Sequence, residues 1–171
     1  MCCSFSWVEA TLHQYGLPVI FVDLFLESVG LPLPGETLLL LAGSLAAKGD
    51  LALVPLWLTA FAASVAGDNA GYLIGRRLGR PAVLRWGGRI GLSEARLARV
   101  EALMQRRGLM IVAGARFVAV LRQLNGLAAG TAGMHWARFL AGNVLGAAVW
   151  VSVWVLAAYA FGVDAHLWRG Q

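Results

Sequence analysis

The sequence predicts an all-α polytopic membrane protein: two inverted repeats, each a re-entrant or broken helical hairpin plus a transmembrane helix, joined by a basic cytoplasmic helical linker. Composition is the first ground. Of 171 residues, 59% are hydrophobic and 13% charged, and a mean hydropathy of +0.70 leaves too little polar surface to cover a soluble core of that size. The second ground is a pair of apolar stretches cut by the residues a bilayer tolerates least. These are Glu27, Pro32, Pro34, Gly35 and Glu36 in the first half, and Arg116, Arg122 and Asn125 in the second. At membrane depth, charge and helix breakers mark a water-facing cavity or a broken helix, and usually a transported substrate. The third is internal similarity. Shifted by 87 positions, Ala42-Gly43 falls on Ala129-Gly130, and Tyr72 and Gly75 fall on Tyr159 and Gly162.

The elements follow in order within a single membrane domain, 1–171. Glu9, His13 and Asp23 interrupt the N-terminal region, so no cleavable signal peptide is expected. Cys2 and Cys3 lack spaced partners and read as inert thiols. Repeat one covers about 17–75. Its first part, 17–47, is apolar but broken near the middle, and 51–75 is apolar apart from Asp68 and Asn69. The latter is long enough to cross a hydrocarbon core of about 30 Å. Residues 76–108 hold Arg76, Arg77, Arg80, Arg85, Arg89, Arg96, Arg99, Arg106 and Arg107 against Glu94 and Glu101 alone. Between two apolar blocks, the positive-inside rule puts this linker in the cytoplasm and makes a nucleic-acid partner unnecessary. Within it, Ser93–Arg107 reads as a helix with Ser93 as N-cap and Leu97, Val100, Leu103 and Met104 at helical spacing. That helix is expected on the membrane surface, its arginines near anionic headgroups. Repeat two covers about 109–163: a second broken stretch, 109–133, then 139–163, which contains no charge and is long enough to span. One hairpin plus one crossing per half inverts the second copy; two full crossings at the breaks would make the halves parallel.

Five residues carry the expected chemistry. Glu27, Glu36 and Asp68 are the acids nearest membrane depth, where an ionised, unpaired carboxylate costs several kcal/mol. Such a group carries a proton at neutral pH or faces water or a cation, which makes all three candidates for proton coupling. Glu27 and Glu36 can instead cap short helices beside Pro32 and Pro34. Arg116 and Arg122 stay charged and must meet a carboxylate, carbonyls or an anionic ligand. Phosphate suits them best because a guanidinium binds two oxygens at once. Six residues apart, they would lie about 240° apart on an unbroken helix, so they converge if the segment bends. Internal salt bridges to Glu27, Glu36 or Asp68 are the competing reading.

Gly67, Gly71, Gly75 and Gly79, and likewise Gly126 with Gly130 and Gly142 with Gly146, recur every four residues and predict close helix packing. Asp68, Tyr72 and Arg76 share a helix face, which allows Tyr72 to donate a hydrogen bond to Asp68, although Tyr159 has no acid at the matching position, which favours a packing role for both tyrosines. Trp57, Trp86, Trp136, Trp150, Trp154 and Trp168 read as interface and lipid-facing residues. His13, His135 and His166 stand apart from any metal-ligand pattern, and no Walker loop, hydrolase elbow or His-Glu-x-x-His is present. No catalytic residue, metal or cofactor is therefore expected, nor an enzymatic role.

The runs Phe25-Leu26-Glu27-Ser28-Val29-Gly30-Leu31-Pro32-Leu33-Pro34-Gly35-Glu36, Gly67-Asp68-Asn69-Ala70-Gly71-Tyr72-Leu73-Ile74-Gly75-Arg76, and Arg116-Phe117 through Arg122 with Ala129-Gly130 together resemble the DedA family, also called VTT or SNARE-associated Golgi-protein domains. The likeness covers roughly 16–163. It implies two facing re-entrant hairpins in the cell (inner) membrane and movement of a phospholipid or polyprenyl phosphate, driven in bacteria by the proton motive force. By position it gives Glu27 and Glu36 as functional acids and Arg116 and Arg122 as the essential arginine pair. Two departures stand out. Ala119 occupies a position where members usually carry proline, so the second hairpin is expected to bend elsewhere, at Gly126. The further span usual after the Tyr-x-x-Gly element is absent, so the bundle is expected either to lack full activity or to complete itself as a homodimer. The resulting expectation is a translocase of a phosphate-bearing lipid, partnered by membrane lipids and protons. A non-transporting envelope scaffold and a small-ion or drug/proton antiporter are its rivals.

Overall fold

A computed structural model of the chain describes residues 6–79 and 94–169. Cys2, Cys3, Arg80, Arg85, Trp86, Arg89 and the expected N-cap Ser93 lie outside the described residues, as do the side chains of His13, Leu97, Val100, His166 and Trp168. Among the described residues the chain is all-helical, with six helices and no strand. They are α1 (Ser6–Val29), α2 (Gly35–Ala47), α3 (Leu53–Ile74), α4 (Glu94–Ala115), α5 (Ala119–Thr131) and α6 (Trp136–Arg169), with a wider π-helical turn at Gly75–Gly79 prolonging α3.

Each break has a local cause. α1 kinks at Gly16, whose φ of 36° and ψ of −114° are open to glycine, just ahead of Pro18. Between α1 and α2, Gly30 turns the chain at φ 127°. Pro32 and Pro34 then supply no N–H for a continuing ladder. α2 restarts with Pro34 as its cap and Glu36 in its first turn, where the helix dipole favours an acid. The second break is shorter. Phe117 and Val118 donate backbone hydrogen bonds to Gly114 and Ala115, and α5 starts from the extended Val118. The bend thus lies at Arg116–Val118, not at Gly126, which sits inside α5. α4 also exceeds its expected end at Arg107, running unbroken to Ala115. Beyond Arg107 it joins the bundle, since Gly108 and Val112 are buried.

Two clusters form the interior. In the larger, Leu24 of α1, Leu39 and Ala42 of α2, Ala60 of α3 and Val151 and Val155 of α6 are all buried. The smaller joins Tyr72, Val112, Ala129, Met134 and Phe139. α6 is apolar on both sides, with Leu145, Val149, Val153 and Leu156 each more than half exposed opposite the buried face. An outward face of this kind requires an apolar surrounding.

One helix among the described residues, Trp136–Phe161, is long and apolar enough to cross a membrane. α3, expected to do the same, has the length, but Asp68 and Asn69 dilute its apolar run. It packs on α1, α5 and α6.

The glycine faces explain how close α3 and α5 come. A Cβ added at Gly126 would strike the Asp68 carbonyl, one at Gly130 the Tyr72 carbonyl, and one at Gly75 the Leu127 carbonyl. Backbone meets backbone along this seam, as expected for small residues recurring every four positions.

Candidate functional site

That seam, with the two helix breaks beside it, brings the predicted residues into two buried ion pairs. Glu27 lies in the last turn of α1. Its carboxylate occupies the space above Gly35, where a side-chain Cβ would collide with it. Arg122, in the first turns of α5, grips it with both terminal nitrogens: Nη2 donates to Oε1 at 2.5 Å and Nη1 to Oε2 at 3.2 Å. Trp150 of α6 covers the guanidinium, its ring centre 4.5 Å from Cζ. Glu36 stands at the margin, Oε1 3.7 Å from Arg122 Nη2. The gradient of exposure is steep: 3% for the Glu27 side chain and 4% for Arg122, against 38% for Glu36. The turn between α1 and α2 also lies close to α5, since a Cβ added at Gly30 would sit 3.6 Å from the Gln123 carbonyl.

Arg116, in the break between α4 and α5, is equally buried. Its Nη2 donates to Asp68 Oδ2 and, at 2.5 Å, to Asn143 Oδ1. Asn143 is held in turn by its own donation to the Val65 carbonyl at 3.3 Å, which fixes its oxygen toward the arginine. Asn125 Nδ2 donates to the Val112 carbonyl at 2.9 Å and so ties α5 back to α4 across the break. Among the described residues, Arg116 Nε and Nη1, Arg122 Nε and Asp68 Oδ1 are buried without a hydrogen-bond partner. Each cation therefore has donor capacity beyond its acid. Buried charges of this kind carry a desolvation cost of several kcal/mol apiece, offset here by the opposite charge.

All five predicted site residues thus fall in one region. Glu27, Arg122 and Glu36 are together, and Asp68 and Arg116 pair separately. Two readings fail. Tyr72 does not bond Asp68, which Arg116 has taken. Its hydroxyl donates to the Met134 carbonyl at 2.6 Å and accepts from Arg76 Nη1 at 2.7 Å, while its ring stacks on Phe139. Trp150 is not at a lipid face but buried over Arg122. Asn143 was not singled out at all, although it is the one amide in the charge-free stretch 139–163. Trp136, by contrast, is exposed, its Nε1 donating to Asn69 Oδ1.

Comparison with known proteins gives the family of the chain. The family model described as VTT domain matches residues 33–160. An uncharacterized membrane protein of Synechocystis is 35% identical over 93% of this chain and 73% of its own. One from Mycobacterium tuberculosis H37Rv is 38% identical over 94% and 78%, and the inner membrane protein YghB of Escherichia coli K12 is 35% identical over 90% and 71%. No solved structure matches. With the family model covering most of the chain and relatives aligned over more than two thirds of both partners, the chain belongs to the VTT-domain family, the DedA proteins.

Proposed function

We propose that this protein is a multi-pass transporter of the cell membrane that carries a phosphate-bearing lipid, a phospholipid or polyprenyl phosphate, across the bilayer with proton coupling. The observation that carries the reading is the pair of buried guanidiniums, each bound to an acid from the other half of the chain and each with unpartnered N–H groups. A phosphate can offer Arg122 the same two-oxygen grip that Glu27 now provides. Protonating Glu27 removes its claim on Arg122 and frees the cation for the headgroup; loss of that proton from Glu27 restores the bridge and expels the lipid. Glu36, close to Arg122 and far more exposed, is the group through which the site exchanges protons with water. The order of elements supports an inverted repeat: α1–α2–α3 and α4–α5–α6 each run as a broken hairpin followed by a long helix. The basic linker, 76–108, then lies in the cytoplasm.

The test is lipid translocation in proteoliposomes. Arg122→Ala abolishes it. Because that change leaves Glu27 buried alone, the double variant Glu27→Gln with Arg122→Gln is measured beside it, to separate loss of function from loss of fold. Wild-type rates in a folded Arg122 variant would refute the reading. A non-transporting envelope scaffold is the second reading, favoured by the bidentate geometry of the Glu27–Arg122 bridge, and under it the neutral double variant supports envelope integrity as the native chain does.

A further inference from the structure

A second cluster of arginines lies away from the buried pairs, where α4 crosses the start of α6. Arg106 and Arg107 of α4 and Arg138 in the first turn of α6 line one open depression of about 740 Å³, together with Gln105, Gly108, Leu109 and Met110. Arg138 is tied to α4 by one hydrogen bond, and Gln105 of α4 is tied to the turn ahead of α6 by another. Arg138 Nη1 donates to the Gln105 carbonyl at 3.1 Å, and Gln105 Nε2 donates to the Gly133 carbonyl at 3.2 Å. The two helices approach closely because Gly142 of α6 sits against the Leu109 backbone, while Gly108 leaves room for Met134. Three like charges from two helices thus line one hollow beside the positive end of a 34-residue helix. Beside them stands an apolar shelf, Leu109 at 41% and Met110 at 75% exposure.

From these features we infer that the depression is a binding site for the phosphate headgroup of an anionic phospholipid, its acyl chains lying along Leu109 and Met110. Guanidiniums lining one hollow match a phosphodiester, and the adjoining apolar side chains match the tail of the same molecule, a combination that a free anion does not need. The site is distinct from Arg116 and Arg122, which are buried on other elements. It rests on the protein being membrane-embedded and not on its moving lipid, so transport and this site fail separately. Arg138 is the residue that makes it a site: without α6, Arg106 and Arg107 are two charges on an exposed helix face.

The experiment is native mass spectrometry of the full chain released from micelles, titrated with dimyristoyl phosphatidylglycerol or dimyristoyl phosphatidylcholine. The wild type retains phosphatidylglycerol in preference to phosphatidylcholine. Arg106→Gln with Arg138→Gln weakens that retention roughly 30-fold, from two charges near a phosphate. Lys48→Gln with Arg77→Gln, which removes the same net charge elsewhere, leaves it unchanged. Equal retention of the two lipids, or equal loss in both double variants, overturns the inference. Displacement of phosphatidylglycerol by millimolar inorganic phosphate does so too, because it would make the depression a free-anion site.

Discussion

Replacing Asp68 by Asn keeps the shape of the side chain and removes its charge, leaving Arg116 with the Asn143 oxygen as its remaining side-chain acceptor of known geometry. Arg116 is 1% exposed and two of its nitrogens already lack partners, so little water is at hand to compensate. Breaking a buried pair from one side costs about 3–5 kcal/mol, whereas replacing both members by neutral groups is often close to neutral. Asp68→Asn should therefore lower the unfolding midpoint in detergent by roughly 10 °C, at about 2–4 °C per kcal/mol for a chain of this size. Asp68→Asn combined with Arg116→Met should recover most of that loss. Thermal unfolding followed by tryptophan fluorescence, with size-exclusion profiles to confirm a monodisperse starting state, measures both. A single variant that melts within two degrees or so of wild type would show that Arg116 is solvated or held by other groups. A double variant no more stable than the single would show that the pair is not the source of the penalty.

The seam between α3 and α5 gives a second prediction. Gly126→Ala places a methyl group on the Asp68 carbonyl, a backbone atom that cannot rotate away, so it should destabilise by about 1–3 kcal/mol in the same melt; Gly114→Ala, in the last turn of α4 with open space around it and no positive φ, serves as the control for handling and yield. At Trp150, Leu removes the ring over Arg122 and should cost roughly 3 kcal/mol, combining a desolvated cation–π contact with the lost volume. Phe at the same position should retain a good part of that stability, and equal melting of the Leu and Phe variants would deny the cation–π contact a role. Tyr72→Phe deletes the donation to Met134 and the acceptor for Arg76, and should cost about 1–2 kcal/mol by the same measurement.

The parts of this fold that the sequence made legible are those written in local chemistry. Pro32 and Pro34 cannot extend a helix, so the first break is plain from the chain itself. The second carries no proline, and its turn at Arg116–Val118 comes from three residues of ordinary type, which is why Gly126 looked the better hinge. The arginines and acids stood out because charge is conspicuous in an apolar stretch, yet which acid meets which arginine depends on helix crossings that no spacing encodes. The same holds for Trp150. A tryptophan in an uncharged helix reads as a lipid-facing residue until the crossing of α5 and α6 puts its ring over Arg122. Asn143 did have a signal, a lone amide in a stretch without charge, where a polar side chain at membrane depth needs a partner.

Both bridges join the two halves. Glu27 and Asp68 come from the first, and Arg122 and Arg116 from the second. In lipid, apolar side chains gain little by leaving their surroundings for one another, so helix association rests on close packing and on polar contacts. The glycine seam supplies the first and the ion pairs the second. The seam also positions the pairs, because a backbone approach as close as that of Gly126 to Asp68 brings a side chain of α3 within reach of the break that carries Arg116. It follows that the charges are not additions to a finished bundle. Under the proposed transport cycle, a headgroup that displaced Glu27 from Arg122 would open one of the two bridges between the halves while Asp68–Arg116 and the glycine seam held the other. Binding and loosening would then be a single event beside the turn between α1 and α2, which lies close to the Gln123 carbonyl and carries the partly exposed Glu36 just beyond it.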